Sequence, residues 1–238
     1  MTEINCQEFL NQYLNKEIFI NHNKDLKNTM LIIETRLSLN LILVIKNALH
    51  KLPHFNLMVV STKDNLDYLE KTFGKITYKV ELNKSKINLE EYSKILRDPQ
   101  IWEKIPGERV LIFQPDTIFL REINNDEFPN LSMIGPVCMN FEDNEKFVIN
   151  GGFSFRDKEL MVELSKNKII NSPIEDIFFT EQLRKHYPEL MPSIHDCNNF
   201  AIESTGNKLT AKGIHGTDKF YTSSRFYNEL FTIIEMEK

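Results

Sequence analysis

Short apolar runs alternate with longer amphipathic segments along the first half of the chain. The runs have the length of buried strands, and the longer segments repeat their apolar positions at helical spacing. Four strands are predicted over 29–35, 55–61, 76–82 and 109–114, and three helices over 38–52, 64–73 and 89–96. This alternation predicts an α/β fold: a mainly parallel, twisted sheet flanked by helices on both faces.

The pattern changes after residue 120, where shorter strands and a glycine pair replace the regular alternation. Gly151 and Gly152 lie inside the strand-like segment FVINGGFSFR, and glycine there is typical of a bulge or of a close approach of backbone to ligand. A helix is predicted around PIEDIFFTEQL, with Ile177, Phe178 and Leu183 towards the core. The segment GIHGTDKFY, residues 213–221, is predicted to be a loop.

No segment rich in Pro, Gly or Ser divides the chain, which contains 41% hydrophobic and 26% charged residues. A single domain is therefore expected over residues 1–238. Within it we expect an N-terminal extension over 1–28, a nucleotide-binding half over 29–120, an acceptor and catalytic half over 121–222, and a C-terminal helix over 223–238.

Composition excludes several classes of protein. The net charge of -5 argues against a general polyanion binder, so nucleic acid is not an expected partner. Cys6, Cys138 and Cys197 are odd in number and lack C-x-x-C spacing, which indicates a reducing compartment rather than disulfides or structural zinc. Neither a signal peptide nor an apolar run of membrane-spanning length is present, so a cytoplasmic location is expected. The oligomeric state stays open.

Candidate chemistry begins in the stretch RVLIFQPDTIFL, where Asp116 follows a buried strand. Open α/β sheets bind ligands at the carboxyl ends of their strands. Glu34, Thr35 and Arg36 end the first predicted strand in the same way, and we expect them to line the same crevice. The alternative is that Asp116 is only a turn former or helix cap, which is the commoner role of Asp at such a position.

Motifs of competing classes are absent from the sequence. It contains no G-x-x-x-x-G-K-[ST], G-x-G-x-x-G, G-x-S-x-G or H-E-x-x-H. A P-loop nucleotidase, a dinucleotide oxidoreductase, an α/β-hydrolase and a zinc peptidase are therefore not indicated.

Six segments in order carry a resemblance to a known family. They are LIIETR, EEYSKILRDPQIWEKIPGERVLIFQPD, FVINGGFSFR, EDIFF, NNFAIES and GIHG, which together extend over about residues 29–215. In this combination the chain resembles a family of uncharacterised glycosyltransferase-like proteins of the GT-A superfamily. The resemblance implies a nucleotide-sugar-binding fold in which the D-x-D motif is written Q-x-D.

The resemblance assigns a metal and donor site. Asp116 and His215 would bind Mn²⁺ or Mg²⁺, while Gln114 replaces the first acid of D-x-D and is expected to bond a ribose or a metal-bound water. Lys219 would add positive charge beside the leaving phosphate. The donor-binding set is Thr35, Arg36, Gln114, Asp116, Gly151, Gly152 and Lys219, the two glycines through backbone amides that approach the sugar.

The acidic pair at 175–176 is the expected catalytic group. Asp176 is the first choice and Glu175 the second for a general base that takes the acceptor proton in an inverting transfer. The alternative is that both acids only complement the dipole of a helix amino terminus. Glu203 is expected to bind an acceptor hydroxyl, or else to pair with a lysine. Trp102 is expected to pack in the core, and Arg156 to end its strand in solvent.

Three functions follow, in order of preference. The first is a metal-dependent, inverting glycosyltransferase that uses a nucleotide sugar and an acceptor hydroxyl on a glycan or other molecule. UDP is favoured over GDP by superfamily habit alone. The second is a catalytically silent protein of the same fold that binds a nucleotide sugar or glycan, which the missing first acid of D-x-D favours. The third, a phosphohydrolase, is weaker because such a site would gather more carboxylates.

Overall fold

The structure is a computed structural model of the chain, and it describes residues 6–21, 27–139, 147–167, 170, 172–203, 205–207 and 209–217. The predicted C-terminal helix over 223–238 and Lys219 lie outside the described residues. In the described part, no helix combines the length and apolarity that crossing a bilayer requires.

Helices and strands alternate along the first half. The helices are α1 (Cys6–Asn11), α2 (Leu39–Lys51), α3 (Lys63–Phe73), α4 (Leu89–Leu96), α5 (Pro99–Lys104), α6 (Lys158–Lys166), α7 (Glu175–His186) and α8 (Ile194–Phe200). The strands are β1 (Asn28–Ile33), β2 (Asn56–Ser61), β3 (Tyr78–Glu81), β4 (Arg109–Ile112), β5 (Ile118–Phe119), β6 (Met133–Ile134), β7 (Val137–Met139), β8 (Phe147–Ile149), β9 (Ser154–Asp157), β10 (Ala201–Ile202) and β11 (Gly213–Ile214). Two short 3₁₀ turns cover Asn125–Glu127 and Pro188–Leu190.

The central sheet has six strands in the order β3-β2-β1-β4-β9-β6. The first four run parallel, and β9 runs antiparallel to both β4 and β6. All four parallel strands therefore present their carboxyl ends at one edge. The predicted α/β fold with a mainly parallel sheet flanked by helices is confirmed, including the four strands and three helices of the first half.

Local sequence explains where several helices begin. The side chain of Ser38 accepts from the amide of Leu41 at the start of α2. Asn88 and Glu91 form a reciprocal capping box at the start of α4. Such caps satisfy amide groups that have no partner within the helix. Leu89 and Tyr92 of α4 line the same cleft as Gln114, which follows β4.

The core lies against both faces of β1, whose six residues are all buried. Trp102 is fully buried, as expected, and its indole N–H donates to the carbonyl of Leu96 over 2.6 Å. Phe178 and Leu183 face the core as predicted. The prediction for Ile177 is wrong: this residue is 37% exposed, because it lies on the solvent side of the first turn of α7.

A second sheet has three strands in the order β10-β11-β5, and β7 and β8 form a separate antiparallel pair. β11 runs parallel to β10 and antiparallel to β5, with Gly213 opposite Phe119 and Ile214 opposite Ile118. Residues 213–214 are therefore a strand rather than the loop that the sequence predicted. The hydrophobic pattern did not predict this strand because it has only two residues and one of them is glycine.

Candidate functional site

The QPD stretch forms a tight turn at the carboxyl end of β4. The backbone amide of Thr117 donates to the backbone carbonyl of Gln114 over 3.0 Å. The Thr117 hydroxyl accepts from the backbone amide of Gln114 over 3.2 Å. Pro115 suits the second position of such a turn because its φ is fixed. The turn ends the strand and leaves the side chains of Gln114 and Asp116 lining a cleft at the edge of the sheet.

The pairing of β11 with β5 brings His215 to this turn. Because Ile214, the last residue of β11, lies opposite Ile118, His215 comes level with Thr117. The amide of Thr217 also donates to the carbonyl of Asp116 over 3.0 Å. Two segments that are far apart in sequence are thus joined by backbone hydrogen bonds.

Three polar atoms converge between the turn and the histidine. Nε2 of His215 lies 3.2 Å from Oε1 of Gln114 and 3.6 Å from Oδ1 of Asp116. Adjacent ligands of an octahedral cation lie about 3 Å apart, given bonds of about 2.1 Å. The donor set therefore suits a divalent cation after a small movement. No cluster of three or more His, Cys, Asp or Glu side chains suited to a metal occurs among the described residues.

Glu203 lies behind the histidine. Its Oε2 is 3.7 Å from Nδ1 of His215, and only 2% of the residue is exposed. The thiol of Cys138 also contacts Oε2, at 3.7 Å. The expected contact between Glu203 and an acceptor hydroxyl is not supported, because the carboxylate is enclosed by the protein. Its contacts within the described residues include a histidine and a thiol.

A cleft of about 450 Å³ opens beside the turn. Glu34, Arg36, Gln114 and Asp116 line it, as the ends of neighbouring parallel strands predict. The Glu34 carboxylate binds the Arg36 side chain with two hydrogen bonds of 3.0 and 2.7 Å. Beside this carboxylate the pKa of Arg36 is raised, so the guanidinium keeps its charge.

Thr35 does not line the cleft. It is 5% exposed, and its hydroxyl accepts from the amide of Ile87 over 3.2 Å. Successive residues of an extended segment point to opposite sides, which turns Thr35 away while its two neighbours face the ligand space. The donor-binding role predicted for Thr35 therefore has no support in the structure.

A smaller pocket of about 150 Å³ adjoins the cleft. It is lined by Leu89, Tyr92, Ser93, Gln114, Asn150, Gly152, Ile174, Glu175, Asp176 and His215. Leu89, Tyr92 and Gln114 line both spaces. The structure thus brings together residues from the QPD, NGG, ED and G-x-H segments that the sequence singled out.

Tyr92 is a site residue that the sequence analysis missed. It is 8% exposed, and its hydroxyl lies near the Gln114 side chain but makes no hydrogen bond of ordinary geometry among the described residues. Burial, and then the charge of Glu175, raise the pKa of Tyr92, so the phenol stays protonated. Nothing in the helical pattern of α4 distinguished this tyrosine from a core aromatic.

The carboxylate of Glu175 is held by Arg156. Its two oxygens accept from the guanidinium over 3.0 and 3.3 Å. The Glu175 side chain is 2% exposed and that of Arg156 is 0% exposed. The same guanidinium donates to the Ser154 hydroxyl and the Gly151 carbonyl. The expectation that Arg156 ends its strand in solvent is wrong, because it lies under the ring of Trp102 and binds a buried acid.

Asp176 is half-buried beside this ion pair, and its Oδ1 accepts from the amide of Gly151 over 2.9 Å. Burial raises the pKa of Asp176 well above its ordinary value, and the neighbouring charge of Glu175 raises it further. Both effects disfavour the ionised form. A carboxyl group with a raised pKa is, once ionised, a stronger base than an ordinary carboxylate.

The glycine pair lets these groups approach closely. A Cβ on Gly151 would overlap the carboxyl groups of Glu175 and Asp176, and one on Gly152 would overlap the ring of His215. Both backbone amides donate within the protein, the amide of Gly152 to Oδ1 of Asn150 over 2.8 Å. The expectation that these amides approach a sugar is therefore not supported. The glycines instead provide space for side chains.

The chain belongs to the family described as "Protein of unknown function (DUF5672)", whose model matches residues 77–215, more than half of the chain. No curated protein matches it.

Three solved structures share part of the fold. A mannosyltransferase from Pyrobaculum calidifontis in complex with GDP-Man and Mn²⁺ is 12% identical, with a TM-score of 0.39 over 66% of this chain and 52% of that one. A putative glucose-1-phosphate thymidylyltransferase from Bacillus anthracis in complex with a sucrose is 13% identical, with a TM-score of 0.43 over 67% and 84%. The 4-diphosphocytidyl-2C-methyl-D-erythritol synthase from Anaerococcus prevotii is 12% identical, with a TM-score of 0.42 over 64% and 82%. The chain spans about half the length of the mannosyltransferase. Likeness at these scores assigns no function.

Proposed function

We propose that the protein is a metal-dependent glycosyltransferase that takes a sugar from a nucleotide donor, UDP-linked in preference to GDP-linked, and passes it to an acceptor hydroxyl. The observation that carries the proposal is the convergence of Asp116, Gln114 and His215 at the carboxyl edge of the parallel sheet. This group lies between a 450 Å³ cleft and the pocket that holds Asp176. A donor with its nucleotide in the cleft would place its diphosphate beside the three side chains.

Asp116 and His215 would hold the cation, with Gln114 beside them. A divalent cation there would neutralise the charge that develops on the leaving diphosphate. Arg36 lies at the rim of the cleft and adds a fixed positive charge on the nucleotide side. Lys219, which lies outside the described residues, stays a predicted donor-binding residue.

Asp176 is proposed as the general base. The acceptor oxygen bonds to the anomeric carbon, the bond from that carbon to the diphosphate breaks, and the acceptor proton passes to the Asp176 carboxylate. The raised pKa supports this role, since a stronger base accepts the proton more readily. Glu175 is a poorer candidate because both its oxygens are bound by Arg156. A single displacement inverts the anomeric centre.

The test is transfer from a panel of UDP- and GDP-linked sugars in Mn²⁺ to a mixture of free sugars, with water as the default acceptor. We expect turnover with at least one donor, its loss in excess EDTA, and its loss in Asp176→Asn. Proton NMR of the first product should show the anomeric configuration opposite to that of the donor. Retention would contradict the assignment of Asp176 as base, and no turnover with any donor would contradict the enzyme.

A second function, a silent nucleotide-sugar or glycan-binding protein, is favoured by one specific observation. Oδ1 of Asp176 already accepts a hydrogen bond from the Gly151 amide, which occupies one of the two oxygens that a base would use and opposes the rise in the Asp176 pKa. Calorimetry distinguishes the two functions. Tight binding of a nucleotide sugar without turnover, unchanged by Asp176→Asn, would support the binding protein.

A further inference from the structure

The ring of His215 is 5% exposed and lies between two polar groups. Nε2 faces Gln114 and Asp116, and Nδ1 faces the Glu203 carboxylate at 3.7 Å. Within the described residues Nδ1 has no hydrogen-bond partner at ordinary distance. A neutral imidazole carries one N–H, which lies on either nitrogen. The surroundings of the ring decide which one.

The two sides differ in their ability to adapt. An ionised carboxylate offers only acceptor atoms, so Glu203 favours an N–H on Nδ1 and opposes a lone pair there. The Gln114 amide presents either its oxygen or its NH₂ to Nε2 after rotation of its last bond. The Asp116 carboxylate favours an N–H on Nε2 in the same way, but its side chain is 31% exposed and shared with water, whereas that of Glu203 is 2% exposed. Because the enclosed carboxylate acts without screening by water and the neutral amide can adapt, Glu203 should determine the tautomer.

Glu203 is itself held by a chain of contacts. The Cys138 thiol donates to its Oε2, and the Asn150 amide donates to that sulfur over 3.6 Å. The Gly152 amide in turn donates to Oδ1 of Asn150 over 2.8 Å. These contacts connect the carboxylate to the glycine that abuts the other side of the His215 ring. The same chain of contacts therefore holds both the Glu203 carboxylate near Nδ1 and the Gly152 backbone near Nε2 of the ring.

We propose that Glu203 is a positioning residue that holds His215 with its proton on Nδ1. The lone pair of Nε2 then points at the space beside Asp116, where the proposed function requires a metal ligand. A histidine that binds a metal through one nitrogen commonly donates from the other to such a group, which fixes the ring and raises its basicity. Metal binding through Nε2 rests on the proposed function, whereas the position of the proton on Nδ1 does not.

The primary test needs neither metal nor substrate. The full chain labelled with ¹⁵N-histidine is treated with EDTA and examined by ¹H–¹⁵N NMR at pH 8.5, where histidine is ordinarily neutral. The signals of His215, one of six histidines, are identified by their loss in His215→Asn. We expect the proton on Nδ1. A wild-type His215 with its proton on Nε2 would overturn the proposal, whatever the variants show.

Two variants of Glu203 distinguish the effect of its acceptor oxygens on the His215 tautomer from the effect of its volume. Glu203→Gln keeps the volume and one acceptor oxygen, but its amide can also turn its NH₂ to Nδ1, so the preference for a proton on Nδ1 should weaken without being lost. Glu203→Met has a similar length and no such oxygen, so the proton should redistribute towards Nε2. Glu159→Met, at an exposed position of α6, is the matched control and should leave the His215 signals unchanged. Equal spectra for Glu203→Met and wild type would overturn the proposal.

A second measurement follows Mn²⁺ binding in saturating UDP. Glu203→Met should weaken it by roughly 10–100-fold, the usual effect of removing a group that orients a metal ligand, and Glu203→Gln should weaken it less. If wild type shows the proton on Nδ1 but no Mn²⁺ binding, the proposed metal site fails while the tautomer assignment stands. If Mn²⁺ binds and Glu203→Met binds it equally, the positioning role fails and the proposed function stands.

Discussion

At the scale of single residues, Gly152 shows how closely the site is packed. A Cβ there would overlap the His215 imidazole and lie 2.8 Å from Oε1 of Gln114. Gly152→Ala should therefore displace the ring and weaken Mn²⁺-dependent UDP binding, although it removes no functional group. We expect a larger loss than for Gln114→Ala, which should cost roughly 10–100-fold as an outer-shell change.

Isothermal titration of each variant with UDP in Mn²⁺ checks this order, with circular dichroism to confirm the fold. If Gly152→Ala binds as tightly as wild type, the close contact around His215 does not matter for the ligand.

Asp176 predicts an opposition between stability and activity. Its folded-state pKa is raised, so the folded protein is increasingly penalised as the pH rises from the unfolded value, about 3.9, through the raised one. Asp176→Asn keeps the acceptor for the Gly151 amide and carries no charge. Its melting temperature should therefore exceed that of wild type by a margin that widens as the pH rises above about 4, while transfer is lost.

Differential scanning fluorimetry across that pH range measures the margin. Parallel melting curves for the two proteins at every pH would show that Asp176 titrates as it does in the unfolded chain.

Residue-scale roles were predictable where chain order decides them and not where tertiary contacts do. Gln114 and Asp116 follow a strand, and that alone places them at the edge of the sheet. The burial of Arg156 depends on Glu175 from another element, and that of Glu203 on His215. Such partners are invisible to a local pattern, as is the position of Tyr92 between two cavities.

At the scale of elements, the ion pair between Arg156 and Glu175 joins β9 to the first turn of α7. Removing one partner of a buried pair leaves an uncompensated charge and typically costs about 3–5 kcal/mol. We expect Arg156→Met to lower the free energy of unfolding by about that amount, and Arg156→Met with Glu175→Leu to recover part of it.

Urea denaturation monitored by fluorescence measures both. Lys166→Met is the control, because its ion pair with Glu103 is solvent-exposed and its loss should have little effect. A similar small effect of Arg156→Met would mean that this pair does not anchor the helix.

The strands and helices of the first half were predictable because each is long enough to show its apolar pattern: a continuous apolar run in the strands and helical spacing of apolar residues in the helices. The short strands of the second half were not. β5 and β11 have two residues each, and pairing with distant segments defines them. That pairing is the element-scale cause of the site, since it brings His215 level with the turn after β4.

At the scale of the whole molecule, the candidate site combines two kinds of sheet edge. The parallel strands contribute Glu34, Arg36, Gln114 and Asp116 from one edge, and the second sheet contributes His215. Only two of the converging groups, Asp116 and His215, are strong metal ligands, and Gln114 is neutral. Under the proposed function, the protein alone would therefore offer a weak cation site, which a bound diphosphate would complete with its own charge.

This division of ligands predicts that metal and nucleotide stabilise the molecule only together. Mn²⁺ alone and UDP alone should each shift the melting temperature little, and both together should shift it by more than the sum. Binding at 100 times the dissociation constant adds about 2.7 kcal/mol, and about 2–4 °C of shift is expected per kcal/mol in a chain of this size.

Asp116→Ala and His215→Ala should each abolish the joint shift, since neither ligand replaces the other. Arg36→Ala, which removes no metal ligand, should weaken the joint shift without abolishing it. A shift with UDP that persists in excess EDTA would show that the nucleotide binds without a cation, and that Asp116 and His215 lie together for another reason.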